Sequence, residues 1–234
     1  MRKLIALGLL TGVAAFAANA NAQTQKKVSI STIVEVPALV ETRDGVLKAL
    51  AARGFNPGKE IKLDYQNANG AMPTQQQIAK KFVGDGADVI IAITTPTAQA
   101  MATATKDIPI VFASVTDPIK AKLITAYSPT GTNITGVSDA APVDQQIELI
   151  RKILPNLKKI GFVYNPGLDN AVSALEVLRS KLKPLNVEVV ESPSPTTNEV
   201  TIATKKLVGK VDAIYVPNDT TVVSALEAIV KAKP

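Results

Sequence analysis

Residues 88–112 read DVIIAITTPTAQAMATATKDIPIVF, and their reading decides the fold. The run 88–93 is short, apolar and β-branched, as expected of a strand buried on both faces. Residues 96–106 are long enough for a helix and open on Thr95-Pro96, a hydroxyl followed by the residue favoured in a first helical turn. Ile110-Val-Phe112 then returns as a second apolar strand. Strand, helix and strand in about 25 residues make a βαβ unit, and such units build parallel sheets.

The same grammar extends both ways. Upstream, residues 28–34 read as a strand broken by Glu35-Val36-Pro37. Leu39, Val40, Val46, Leu47 and Leu50 then recur at helical spacing towards Gly54. A strand over 61–65 and a helix over 74–83 complete the unit. Gly84-Asp85-Gly86 has the start of a dinucleotide fingerprint, but it precedes a strand instead of following one, so it reads as a turn. Downstream, a turn-rich stretch at 127–133 leads to a strand at 134–138 and a helix at 143–154. A second series follows: strand 159–164, helix 171–182, strand 187–191, helix 199–208, strand 213–216 and helix 220–233.

Two such series joined near Ser138 predict an α/β protein of two Rossmann-like lobes with parallel sheets and a cleft between them. The expected division is a leader at 1–22, an N-terminal ligand-binding lobe at 23–138 and a C-terminal lobe at 139–234. The second series has three clear strands and closes on a helix. The second lobe is therefore expected to be incomplete, part of a longer chain.

The leader reading rests on three features. Arg2 and Lys3 precede an apolar run over 4–18, and Ala18-Asn19-Ala20 and Ala20-Asn21-Ala22 follow as small-residue steps. These are the three regions of a secretory signal peptide. The apolar run falls short of the ~20 residues that span a bilayer. Cleavage after Ala22 and a periplasmic product are expected.

Composition removes several chemistries. The chain has no His and no Cys. That excludes His- and Cys-based zinc sites, Ser-His-Asp triads, Cys nucleophiles and disulfides. It also excludes a lipid on a leader cysteine, so the product reads as freely soluble. Hydrophobic residues make up 46% but aromatics only 4%, with no Trp, so the core must be aliphatic. The net charge of +6 is spread as single lysines and pairs such as Lys80-Lys81 and Lys158-Lys159. Nucleic-acid binders gather such charge in one patch, often with aromatics. Here it reads as solvated helix faces, and no nucleic-acid partner is expected.

Ligands of open parallel sheets bind beyond the carboxyl ends of the strands. Those ends carry Glu35, then Thr94, Thr95 and Thr97, then Ser114 and Asp117, then Ser138. In the second series they carry Asn165, and Asn218 with Asp219. Each has a structural reading as well. Thr95-Pro96 and Asn218-Asp219 suit helix caps, and Asp117-Pro118 suits a turn. Their shared address favours a ligand site. Thr95, Thr97 and the N–H groups at that helix start suit a carboxylate, with Ser114 beside them. Glu35, Asp117 or Asp219 suits an ammonium group. Both together describe a zwitterion such as an amino acid.

Taken in order, Arg43-Asp-Gly45, Asp64-Tyr-Gln-Asn-Ala68, Ala92-Ile-Thr-Thr-Pro-Thr-Ala-Gln99, Asp107-Ile-Pro-Ile-Val-Phe112, Val115-Thr-Asp-Pro118, Asn133-Ile-Thr-Gly-Val-Ser-Asp139, Tyr164-Asn-Pro-Gly167 and Val211-Asp-Ala-Ile-Tyr-Val-Pro217 carry a resemblance. The chain resembles ABC-transporter substrate-binding proteins of the tryptophan/tyrosine type. The resemblance implies a type I periplasmic binding fold with a hinge of about three strands, and closure on a small ligand. It implies an inner-membrane ABC permease as partner, a monomer, no cofactor and no enzymatic activity. Members of the family are longer, and their final part adds cleft residues. Where they often carry His before the proline after the first strand, this chain has Val36, so no polar contact carries over to that position.

Two other readings stay open from the residues. The fold also serves as the effector-binding domain of LacI-type transcription repressors, which begin with a helix-turn-helix where this chain has a leader. An exported carboxylate-dependent hydrolase, such as a glycosidase, would use the strand-end acids and would turn over a glycan.

Overall fold

The computed structural model describes residues 25–129 and 131–232. The leader and its cleavage site lie outside the described residues. Among the described residues no helix is long and apolar enough to cross a membrane.

Eight strands form two parallel sheets. The first holds β1 (Lys26–Thr32), β2 (Ile61–Asn67), β3 (Val89–Ile93), β4 (Ile110–Val115) and β5 (Ile134–Ser138) in the order β2-β1-β3-β4-β5. The second holds β6 (Lys159–Tyr164), β7 (Glu188–Pro193) and β8 (Ala213–Tyr215) in the order β7-β6-β8. The intervening helices are α1 (Pro37–Ala51), α2 (Met72–Gly84), α3 (Thr95–Ala104), α4 (Val143–Ile153), α5 (Asp169–Leu182) and α6 (Val200–Lys205). Two short helices, α7 (Thr220–Val223) and α8 (Leu226–Lys231), end the described chain. Among the described residues the chain passes between the sheets once, over 139–142.

Each sheet packs helices on both faces, and the buried side chains are aliphatic with few aromatics. Ile90 and Ile110 pack with Phe82 of α2 and Met101 of α3. Ile30, Ile91 and Ile93 face the opposite side, against Leu39 and Leu47 of α1. In the second sheet Ile160 and Phe162 meet Leu175 and Leu178 of α5, and Val163 faces α6 and Val222.

The two units open alike. Asp88, just before β3, accepts the N–H of Lys27 in β1 at 2.8 Å. Asp212, just before β8, accepts the N–H groups of Lys158 and Lys159 at 2.8 and 2.7 Å. In both cases backbone hydrogen bonds come first in holding the carboxylate below its ordinary pKa. Each aspartate pins a later strand beside the first strand of its unit.

In both sheets the chain reverses its direction of growth beside the first strand, at β1/β3 and at β6/β8. Those are the two switch points, where an open α/β sheet leaves a crevice.

Three local readings need correction. The first strand ends at Thr32, not at 34, and Glu35 lies beyond the bend at 33–34, just before α1. The strand at 110–112 continues to Val115 through an irregular pairing with β5. The last helix is not continuous: it breaks at Ser224-Ala225. The Ser224 hydroxyl donates to the Thr220 carbonyl at 2.7 Å, a back-bond that competes with the helix ladder and bends it.

Candidate functional site

Both switch points open on one cleft of about 330 Å³. From the first sheet's side it is lined by Val36, Leu39 and Thr42 around α1, by Thr94, Thr95 and Pro96 at the start of α3, and by Ser114 and Thr116 after β4. From the second come Asn170 of α5 and Asn218, Asp219, Thr220 and Val223 around α7, with Asp139 on the connecting segment between them. The volume sits at the low end of the ~300–1,000 Å³ usual for small-molecule sites. Val36, Leu39, Pro96 and Val223 make an apolar wall, and hydroxyl, amide and carboxylate groups make the rest.

The start of α3 is held under strain. Thr94 has φ 88° and ψ 156°, a conformation natural to glycine and costing a threonine about 1–3 kcal/mol. Its N–H donates to the Ala113 carbonyl at 2.9 Å, and its carbonyl accepts from Ala98 at 3.0 Å. Its hydroxyl donates to Thr97 (3.0 Å), Thr97 donates to Gln75 Oε1 (3.2 Å), and Gln75 Nε2 donates to Ser31 (3.1 Å). All four side chains are buried. This relay ties α3 to α2 and β1 and over-determines the strained turn. Gln75→Leu leaves the Ser31 hydroxyl without its partner and the Thr97 hydroxyl without its acceptor in the core. It should cost about 2 kcal/mol, read as a lower denaturation midpoint in urea.

Thr95 is not the helix cap; Thr94 occupies that position without a side-chain cap bond. The Thr95 hydroxyl is instead left without a partner, although the residue is only 2% exposed. Across the cleft, Asn170 donates from Nδ2 to the Asn218 carbonyl at 2.5 Å. That fixes the amide, and Oδ1 is left buried and unpartnered. Buried polar atoms are nearly always paired. These two unpartnered atoms, one from each lobe, belong to residues that line one cleft.

Asp139 supplies the cleft's available carboxylate. Surrounding protein raises its pKa above the ordinary 3.8, opposed by the hydrogen bond from Thr116. Asn218 Nδ2 reaches its Oδ2 at 3.3 Å, and the side chain stays open to the cleft. Asp219 is fully buried and already occupied. Oδ1 accepts the N–H groups of Thr221 (2.8 Å) and Val222 (3.2 Å), and Oδ2 accepts that of Asn165 (2.6 Å). It caps α7 and ties β6 to it.

Of the ten residues expected at the strand ends, the cleft gathers Thr94, Thr95, Ser114, Asn218 and Asp219. Thr97 sits just behind, in the buried relay. Glu35 lies outside, exposed and accepting from Arg43 (3.0 Å) and from Tyr65 (2.8 Å), whose phenol burial and Glu35 push up to about 12. Asp117 faces α5, where Ser173 donates to it at 3.2 Å. The Ser138 hydroxyl donates to the Thr116 carbonyl at 3.1 Å. Asn165 is turned away, bonded to Pro195 and Thr221.

Thr42 and Asn170 are cleft residues that lie away from the strand ends, while Thr116 and Asp139 sit at strand ends without having been singled out. Asp139 is adjacent to an expected residue. Asn170 escaped because α5 begins at Asp169, two residues before the apolar pattern that predicts the helix. Thr42 lies inside α1, where its spacing reads as an ordinary helix face.

A family model described as ABC transporter substrate binding protein matches residues 27–233. A tyrosine-binding protein from Clostridioides difficile (strain R20291) is 42% identical over 236 residues, covering 97% of this chain and 68% of that protein. A solved ABC domain in complex with L-Trp from Streptococcus pneumonia is 34% identical, with a TM-score of 0.86 over 90% of this chain and 73% of that one. A ligand-free, open substrate binding protein with adhesive properties from Clostridium difficile is 43% identical, yet its TM-score is 0.63, over 88% of this chain and 70% of that one. The better match in shape is to the complex, although the open protein is closer in sequence.

Proposed function

The chain belongs to the ABC transporter substrate-binding protein family, with its type I binding fold, and from that premise we propose that it captures a small zwitterionic solute, an aromatic amino acid, in the cleft between its lobes. We divide those lobes at 138/139. The exported, periplasmic, monomeric protein hands its solute to an ABC permease and performs no chemistry on it. The family match does not favour the repressor alternative.

The observation that carries this reading is the pair of buried orphans, Thr95 Oγ1 and Asn170 Oδ1, facing one cleft from opposite lobes. The α3 start and the Thr95 hydroxyl suit a carboxylate, because the first N–H groups of a helix lack intrahelical partners. Ser114 flanks that position, its hydroxyl 3.1 Å from that of Thr42. Asn170 Oδ1 is an acceptor and needs a donor, and Asp139 lines the same cleft with a carboxylate. Both suit an ammonium group. The side chain would lie along Val36, Leu39, Pro96 and Val223. Two relatives agree in kind: one is a tyrosine-binding protein and the other is solved in complex with L-Trp.

Titration calorimetry with L-tyrosine, L-tryptophan, tyramine and phenylpropionate tests this. The two amino acids should bind, and the analogues lacking the carboxylate or the amine should not. Equal binding of tyramine and L-tyrosine would overturn the carboxylate assignment.

Thr95→Val separates ligand contact from structure. The hydroxyl bonds nothing in the protein, so the melting temperature should hold or rise slightly. Affinity for L-tyrosine should fall about tenfold, the value of one hydrogen bond to a charged group. An unchanged Kd would sink this role for Thr95.

A further inference from the structure

Asp117, which strand-end reasoning assigns to the ligand, instead joins the lobes. It belongs to a set. Along α5, Asp169, Ser173 and Glu176 stand at i, i+4 and i+7, one face of the helix. Each bonds a side chain of the first lobe. Gln99 Nε2 donates to Asp169 Oδ2 at 2.7 Å. Ser173 donates to Asp117 Oδ2 at 3.2 Å. Lys120 pairs with Glu176. The three first-lobe residues are themselves braced. Asp117 Oδ1 accepts the N–H of Lys120 at 3.0 Å, and Gln99 also donates to the Ala121 carbonyl at 3.2 Å. None of the six lines the 330 Å³ cleft.

We propose that this face of α5 is a latch, three polar contacts that hold the lobes in the arrangement of the structure and so set the affinity for any cleft ligand without touching it. The three contacts span about two turns of one face of α5, so a lobe rotation that lifts this face from the first lobe breaks them together. Each is modest alone. Lys120 and Glu176 are both about half exposed, and such pairs are weak and screened by salt. Ser173 is buried at 3% exposure and its bond to Asp117 is partly buried, so it is screened less by salt than the exposed ion pair. Apparent affinity scales with the fraction of protein in the binding-competent arrangement. Each contact is therefore worth roughly two- to tenfold, and the same factor for every ligand.

The inference stands apart from the amino-acid reading, because its test needs no ligand. The chain contains no cysteine, so Lys80→Cys and Lys210→Cys place one spin label on each lobe. Interlobe distances are measured by electron–electron spin resonance without added amino acid. The comparison is between the starting chain and the triple variant Gln99→Ala, Ser173→Ala, Lys120→Glu. Circular dichroism confirms folding. The triple variant should gain a second, displaced distance population, with the ratio shifted about tenfold or more. High salt should move the starting chain part of the way. Restoring Gln99 and Ser173 while pairing Lys120→Glu with Glu176→Lys should return the original distribution. Superimposable distributions for the starting chain and the triple variant would overturn the latch, as would a charge swap that fails to restore it.

Discussion

Gly136→Ala should destabilise the protein by about 3 kcal/mol, at the upper end for overpacking a core. Gly136 pairs with Phe112 across β4 and β5. A Cβ there would lie 2.2 Å from the Phe112 carbonyl oxygen and 2.5 Å from its ring. The oxygen belongs to a strand backbone and the ring is 2% exposed, so neither can withdraw. The strain would spread along β5 to Ser138 and Asp139, and along β4 to Ser114, which has φ 52°. Urea unfolding should show a lower midpoint at unchanged slope. Gly161→Ala is the internal comparison. Its Cβ would meet Leu207 Cδ1 at 2.8 Å and Val211 Cγ2 at 3.1 Å, the ends of side chains that can rotate. It should cost clearly less. Equal midpoints for the two variants would show that β5 yields and that its pairing with β4 accommodates a Cβ at 136.

The contrast between those glycines parallels what could be read from sequence. Periodicity located all eight strands, because buried parallel strands such as residues 89–93 are apolar on both faces and short. It also placed the cleft, because in a parallel sheet the strand ends are fixed once the strands are. It could not say which strand-end side chains turn inward. Asp117 and Asp139 both follow first-lobe strands and look alike as residues. One is drawn to Ser173 of α5 and the other faces the cleft. That choice depends on the packing of α5 against α3, a contact between segments some seventy residues apart, as in the Gln99–Asp169 bond. Asp219 shows the converse. Its position is right, but three backbone N–H groups already occupy its oxygens. Local competition of the kind made by Ser224 with the helix ladder is likewise invisible to hydrophobic spacing.

Asp139→Asn should lower the affinity for L-tyrosine by about a hundredfold, the strong end of a charge-assisted hydrogen bond. The pH profile makes the test specific. The protein surrounding the Asp139 carboxylate raises its pKa above 3.8 although the residue stays open to the cleft, and an ammonium group beside the carboxylate favours its charged form. The bound state therefore holds fewer protons than the free state. Affinity is full above the raised pKa and is lost as pH falls through it. The tyrosine ammonium itself stays charged across the range from about pH 7 to about pH 4, so Asp139 is the group that changes. The starting protein should weaken over that range, with proton release on binding, while Asp139→Asn should be weak and nearly flat. Folding has the opposite sign. A carboxyl whose folded pKa is raised stabilises the free protein most at low pH, and that contribution is lost as pH rises through the raised pKa. Asp139→Asn should therefore match or exceed the melting temperature of the starting protein at pH about 7 while losing its ligand. A variant that keeps full affinity, or one that keeps the acid-side slope, would move the ammonium contact elsewhere in the cleft and leave Asp139 with only its hydrogen bonds to Thr116 and Asn218.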